Sequence, residues 1–305
     1  MDFMSRGGLI LNVAILMSTY NGEKYIDAQI ESIFKQVHCS IDLYVRDDGS
    51  TDNTVMKIKK WNDKRIHIIA GKNIGTSRSF CELLFSVPII YDYYAFADQD
   101  DIWRENKLIK AIEKLEGMDD RKPNLYYSAL KCVDNEMHFI KFQKIGFPVS
   151  FEFSLIRSVF PGCTMVFNKE TLLLLKDNHV HNQIMHDQFV YQVVSGVNGD
   201  IIYDNESFIN YRLHGNNVSD FSSYKKRLIK LKNDFGRNKN SRWKALKELK
   251  ENYGEKMTKE NKELLEKYCG YIDHNFCSRF KIGISIPDTL KYKCICAISM
   301  LFKKF

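Results

Sequence analysis

The chain has 305 residues, enough for one large domain or a medium one with an appendage, and its 44% apolar content suits a globular protein with a substantial core. The net charge of +7 is unevenly spread: residues 221–305 carry 21 Lys and Arg against nine Asp and Glu, net +12, whereas residues 1–220 are net −5. The basic tail comes without a nucleic-acid recognition motif, which argues against a nucleic-acid-binding protein, and no apolar run reaches the ~18 residues of a spanning helix.

Taken in chain order, LILNVAILM is interrupted by Asn12 and lacks a small-residue cleavage site, so it reads as a buried first strand, Ile10 to Met17, rather than a signal peptide. In YIDAQIESIF, Ile26, Ile30, Ile33 and Phe34 fall at i, i+4, i+7 and i+8, the stripe of an amphipathic helix on a sheet. Further β-branched or aromatic runs at Ile41 to Val45, Ile66 to Ala70, Tyr94 to Ala97 and Cys163 to Phe167 predict strands. Helical segments are expected near Thr54 to Trp61, Thr76 to Val87 and Glu105 to Leu115. Alternating strands and helices predict an α/β first half with a mostly parallel sheet. After about Phe221, SYKKRLIKLKNDF and RWKALKELKENY read as helices of a separate region. Eight cysteines without CxxC spacing predict a reducing, cytoplasmic compartment.

In such sheets ligands bind outside the carboxyl ends of the strands. The polar clusters fall there: STYNG after the first strand, RDDGSTDNT after the second, GKNIGTS after the third and DQDD after the fourth. RDDGSTDNT has the composition of a sharp turn followed by a helix cap. A carboxylate at that strand end, Asp47 or Asp48, could instead accept a hydrogen bond from the N–H of a pyrimidine base. DQDD fails as a calcium loop, because Ile102 and Trp103 stand where an oxygen ligand and a glycine are needed. Two carboxylates at i and i+2, with a nucleotide diphosphate supplying further oxygens, suit Mg2+ or Mn2+.

STYNGEKYI, RDDGSTDNT, NIGTSRSF and FADQDDIW, followed by PGCTMVFNKE, HDQF and YRLHGNNVSD, stand in the order and approximate spacing of a known family. From about Asn12 to Asp220 the chain resembles a family 2 glycosyltransferase of the GT-A fold, and the DQDDIW and YRLHGNNVS forms resemble its bacterial rhamnosyltransferase-like set. The resemblance implies a mostly parallel mixed sheet flanked by helices, a catalytic domain over 1–220 and a C-terminal helical extension over 221–305. It implies that Thr19, Tyr20 and Asp48 line a base pocket with Asp47 nearby, that Arg78 reaches the nucleotide, that Asp98 faces the ribose or the metal, and that Asp100 ligates the metal. His214 is a third candidate ligand, with a hydrogen-bonded loop residue as the plain alternative. Trp103 either stacks on a sugar ring or packs.

Asp187 of HDQF matches the general-base position, although His186 replaces the Glu found before it in many members. A place in the first turn of a helix, favoured by the macrodipole, is its structural alternative, and the two are compatible. The implied activity is an inverting, metal-dependent transfer from a nucleoside diphosphate sugar, dTDP-rhamnose or a UDP-hexose, to a glycan or lipid-linked glycan acceptor in bacterial surface-polysaccharide assembly. A nucleotidyltransferase is the rival enzyme, but STYNGEKY lacks its Gly-rich, Arg-containing loop. A degenerate sugar-nucleotide or glycan-binding module is the non-enzymatic rival, opposed by the joint presence of Asp48, Asp98, Asp100 and Asp187. The closing YKCICAISMLFKKF joins an apolar stretch to lysines and predicts peripheral contact with anionic lipid at the inner face of the cell membrane.

Overall fold

The structure, a computed structural model, describes residues 10–145, 150–177, 180, 185–214, 241–286 and 290–302, the side chains of residues 290–292 and 295 aside. Of the two predicted tail helices, SYKKRLIKLKNDF lies outside the described residues. The chain forms two compact units interleaved in sequence. The first comprises Met1–Gly146, Val159–His179 and Gly199–Leu213, and the second Phe147–Ser158, Val180–Asn198 and His214–Phe305.

The first unit is built on β1 (Leu11–Thr19), β2 (Cys39–Asp47), β3 (Ile66–Ala70) and β4 (Tyr93–Ala97), with α1 (Ile26–Phe34), α2 (Thr54–Lys60) and α3 (Thr76–Ser86) between them and α4 (Lys107–Leu115) after them. The strand β1 is buried almost throughout, as a strand covered on both faces must be. The predicted stripe of α1 buries Ile26, Ile30 and Ile33. With β6 (Asn124–Ser128), β9 (Val166–Asn168) and β10 (Asp200–Asp204), these strands make a seven-stranded sheet of order β10-β6-β9-β4-β1-β2-β3. Every neighbouring pair is parallel except those of β9, which runs antiparallel to β4 and β6. This is the expected mostly parallel mixed sheet flanked by helices.

Strand order reverses at β1, which has β2 on one side and β4 on the other. The carboxyl ends of β1 and β4, carrying STYNG and DQDD, therefore flank a topological switch point, the place where open α/β sheets take ligands. A second sheet, not anticipated from the sequence, has the order β5 (Ile102–Trp103), β11 (Ile209–Arg212), β7 (Leu130–Val133), β8 (Phe139–Gln143). Its β5 continues directly from DQDD.

The second unit gathers α5 (Phe151–Ser154), α7 (His186–Gly196), α8 (Ser241–Tyr253), α9 (Lys259–Cys269), α10 (Phe276–Ile284) and α11 (Leu290–Leu301), while α6 (Lys169–Lys176) belongs to the first. The tail does not stand apart from HDQF, as the expected division at Asp220 would have it. Asn261 donates from Nδ2 to the carbonyls of Ser195 and Gly196, satisfying the carboxyl end of α7, and Tyr268 donates to Glu152 at 2.7 Å. Composition marks where the charge changes; packing joins α7 to the tail helices.

Candidate functional site

The motif loops at the carboxyl ends of β1, β2 and β4 form one hydrogen-bonded cluster, joined by the loop after β3. Asn21, with φ +49°, accepts from Thr51 N–H at 2.8 Å while its own N–H meets Ser50 Oγ at 2.9 Å. Gly22 N–H donates to Thr54 Oγ1, and Glu23 N–H to Asp52. Gln99, the middle residue of DQD, uses both ends of its amide on one backbone residue: Oε1 accepts from Tyr20 N–H at 2.9 Å and Nε2 donates to Tyr20 O at 3.0 Å.

Gly22 makes that clasp sterically feasible, because a β-carbon there would lie 2.2 Å from Gln99 Oε1. Gly22→Ala is expected to expel the Gln99 amide and cost about 1–2 kcal/mol, the scale of two partly exposed hydrogen bonds. Once Gln99→Ala has removed the clasp, adding Gly22→Ala should cost little more. Chemical denaturation of both single variants and the double variant measures this coupling; fully additive losses would refute it.

Asp47 and Asp48 are both buried but differ in what remains open. Asp47 accepts four hydrogen bonds, from Thr19 Oγ1, Gly49 N–H, Ser50 N–H and Ser50 Oγ, which fills the usual capacity of a carboxylate. Asp48 is held by Arg46 at 2.6 Å and by the N–H groups of Ile74 and Gly75, and only the last of these bonds falls on Oδ2. A further donor, such as a base N–H, is thus more readily received by Asp48. Thr19 is buried with its hydroxyl committed to Asp47, whereas the Tyr20 ring is 47% exposed and Arg78, near the start of α3, is exposed. Arg46, which braces Asp48, Ser79 and the Lys72 carbonyl, was not singled out from the sequence.

The three carboxylates of DQDD divide in role. Asp98 and Asp100 are half-buried, and Asp101 is buried. Arg212 of β11 anchors the loop from behind: its backbone N–H donates to Asp101 Oδ1 at 3.1 Å, its Nε to the Asp100 carbonyl at 3.0 Å and its Nη1 to the Asn135 carbonyl at 2.7 Å. Burial, with Asp100 and Asp98 beside it, pushes the Asp101 carboxyl well above the usual carboxylate range. Asp101 Oδ2 and Lys107 Nζ are both buried and find no hydrogen-bond partner among the described residues. Burial also lowers the Lys107 ammonium to about 7.

Among the described residues, Asp98, Asp101 and Cys163 are the one group of acidic, His or Cys side chains whose ligand atoms lie within 4.8 Å of one another. Burial and the neighbouring carboxylates hold the Cys163 thiol well above its ordinary value, so it stays protonated. What is offered to a cation is therefore carboxylate oxygen, with Asp98 and Asp100 accessible and an unpartnered oxygen of Asp101 behind them. This set fits a hard divalent ion. His214, in the second unit, is half-buried two residues beyond β11.

Trp103 requires a correction. It is 3% exposed, lies in the apolar core cluster, and has Lys107 Nζ 3.4 Å from its ring centroid. Its ring packs in the core; it is not an exposed platform for a sugar.

In the second unit Asp187 lies in the first turn of α7, buried, with Oδ1 accepting from Gln188 N–H at 2.6 Å and from Ser158 Oγ at 3.4 Å. The α7 helix is fixed by Gln188 and Gln192, both donating to the Ser154 carbonyl. His186 is buried, and burial lowers its pKa to about 3, so beside Asp187 it is a neutral imidazole.

The family model for glycosyl transferase family 2 matches residues 14–165, the span that carries the first four motif loops. The chain is 32% identical over 213 residues to a dTDP-rhamnosyl transferase of Shigella flexneri, covering 66% of this chain and 72% of that protein. It is 32% identical over 167 residues to an Escherichia coli UDP-Glc:alpha-D-GlcNAc-diphosphoundecaprenol beta-1,3-glucosyltransferase, over 53% of this chain and 61% of the other. The fold is similar to that of Staphylococcus aureus TarS, solved with UDP-GlcNAc, at TM-score 0.54 and 15% identity over 95% of this chain and 89% of the other. It is also similar to that of a Pyrobaculum calidifontis mannosyltransferase solved with GDP-Man and Mn2+, at TM-score 0.51 and 14% identity over 97% and 89%. Joined to a loop cluster at the switch point of a GT-A sheet, the identity shared with the rhamnosyl transferase over most of both chains makes this protein a glycosyltransferase, and it belongs to glycosyl transferase family 2.

Proposed function

We propose that the chain transfers a sugar, with inversion, from a nucleoside diphosphate sugar to a hydroxyl of a glycan or lipid-linked glycan in bacterial surface-polysaccharide assembly at the inner face of the cell membrane. The observation that carries this reading is the clasped loop cluster, in which Tyr20, Asp48 and the DQDD carboxylates converge at the strand ends flanking β1. Asp48 accepts a base N–H, the Tyr20 ring covers the base, Thr19 and Asp47 brace the pocket, and Arg78 meets the nucleotide. Asp98 and Asp100, with His214 as a third candidate ligand, hold Mn2+ or Mg2+. When bound there, the ion would supply positive charge to the departing diphosphate. Asp187 takes the acceptor proton while the acceptor oxygen attacks the anomeric carbon; the bond from that carbon to the phosphate oxygen breaks on the opposite face, which inverts the centre.

Identity to the Shigella flexneri dTDP-rhamnosyl transferase supports dTDP-rhamnose as donor, and the match to the UDP-Glc enzyme supports a UDP-hexose as the second reading. Thymine and uracil present the same N–H to a carboxylate, so the Asp48 pocket is compatible with either. The test incubates the protein with Mn2+ and a panel of nucleotide sugars, reading both the thermal midpoint and the nucleoside diphosphate released. Stabilisation by dTDP- or UDP-sugars above GDP- and CMP-sugars is expected. Equal response to all bases, or to none, would overturn the pyrimidine pocket.

A further inference from the structure

The helices α10 and α11 pack on each other through small residues and leave large ones outside. Gly283 of α10 lies so close to α11 that a β-carbon on it would stand 2.3 Å from Ala297 Cα. Gly283, Ile286, Cys296, Ala297 and Met300 are buried. On α10, Phe276 and Phe280 fall at i and i+4, 59% and 44% exposed. At i, i+4 and i+8, Cys294, Ile298 and Phe302 are exposed, Ile298 at 46% and Phe302, just beyond α11, at 66%. Each helix thus turns an apolar stripe outward, and large exposed apolar side chains gathered in this way mark an interaction surface.

Charge identifies the partner. From Phe276 to Phe305 the sequence has six basic residues, Arg279, Lys281, Lys291, Lys293, Lys303 and Lys304, against the single acid Asp288. A second copy of the chain would set like charges against each other, whereas an anionic surface is complementary. No helix among the described residues is long and apolar enough to cross a membrane. The 12 residues of α11 extend about 18 Å, short of the ~30 Å hydrocarbon core. Basic residues joined to a short apolar stripe with aromatics describe a helix that lies in the interface.

We propose that α10 and α11 form a paired interfacial wedge, with Phe276, Phe280, Ile298 and Phe302 entering the headgroup region of an anionic leaflet and the lysines resting on its phosphates. The wedge gives the membrane-borne acceptor of the preceding reading its means of access, and rests on that reading for its purpose alone. The intact chain is tested by flotation with vesicles containing roughly one-third phosphatidylglycerol in phosphatidylcholine, and with pure phosphatidylcholine. Binding to the anionic vesicles only, weakened by salt, is expected. Phe276→Ser with Phe280→Ser, and separately Ile298→Ser with Phe302→Ser, should each lower it at least about tenfold.

Thermal midpoint and dTDP binding, measured on the same variants, should stay at the level of the intact chain. If either pair unfolds the protein, Lys281→Glu with Lys293→Glu tests the charge contribution at exposed or half-exposed positions. Equal binding to neutral and anionic vesicles, unchanged binding in the variants, or a dimer in light scattering that the serine variants dissolve would each overturn the wedge. Lost vesicle binding with intact donor recognition, and the converse, separate failure of the wedge from failure of the transferase reading.

Discussion

Asp187→Asn is expected to lower sugar transfer by about 10²–10⁴-fold, the scale of a lost general base, with donor binding nearly unchanged. The substitution keeps size and shape, and an amide oxygen can still accept from Gln188 N–H and Ser158 Oγ, the two hydrogen bonds made by Oδ1. The α7 helix is separately fixed by Gln188 and Gln192 on the Ser154 carbonyl and by Asn261 at its far end. Helix stability therefore loses only a charge near a helix N-terminus, about 0.3–1 kcal/mol. The base and structural readings separate in measurement: the first predicts a collapse in turnover at saturating donor, the second a small fall in thermal midpoint with turnover kept. His186 should not substitute as base, because it is buried and its lowered pKa makes it a poor proton acceptor. Near-normal transfer by the Asn variant would move the base to another residue.

The parts of this protein legible in sequence were those whose physics is local. The stripe of α1, the apolar runs of β1 to β4 and the polar turn after each are set within about ten residues, and periodicity registers them. Interactions between distant segments were not legible. YRLHGNN drew attention to His214, but the residue of that motif that holds DQDD is Arg212, through hydrogen bonds spanning more than a hundred residues of sequence. Only the antiparallel pairing of β11 with β5 puts it there. Gln99 looked like a spacer between carboxylates until its amide was seen on the Tyr20 backbone.

The second sheet escaped for a related reason. Its strands are two to five residues long, and β8 exposes Phe139, Ile140 and Phe142 in near succession, without the alternation that marks a half-buried strand. Trp103 could be read either way from sequence, because an aromatic beside a charged loop suits a ligand and a core equally well. Burial decided it. Cys163, read as opening a strand, sits in the turn Gly162–Thr164 close to Asp98 and Asp101, and no sequence spacing signalled that proximity.

Asp100→Asn is expected to weaken Mn2+-dependent nucleotide binding by at least about tenfold, since even partners outside the first coordination shell cost 10–100-fold in metal affinity. The loop should survive the change, because Arg212 Nε meets the Asp100 carbonyl and the Arg212 N–H meets Asp101, neither of which involves the Asp100 carboxylate. Three carboxylates on four consecutive residues repel, and the strain falls on buried Asp101, whose carboxyl is pushed upward by burial and by Asp100 and Asp98. Removing the Asp100 charge relieves that repulsion, so the variant should be no less stable than the parent without metal while binding dTDP or UDP more weakly in its presence. These opposite signs distinguish a ligand from a loop residue held only by packing. Calorimetric titration of each nucleotide with and without Mn2+, beside thermal midpoints without metal, measures both quantities. Unchanged Mn2+-dependent binding would remove Asp100 from the cation site and leave Asp98, with the orphaned Asp101 oxygen, as the carboxylates that meet the ion.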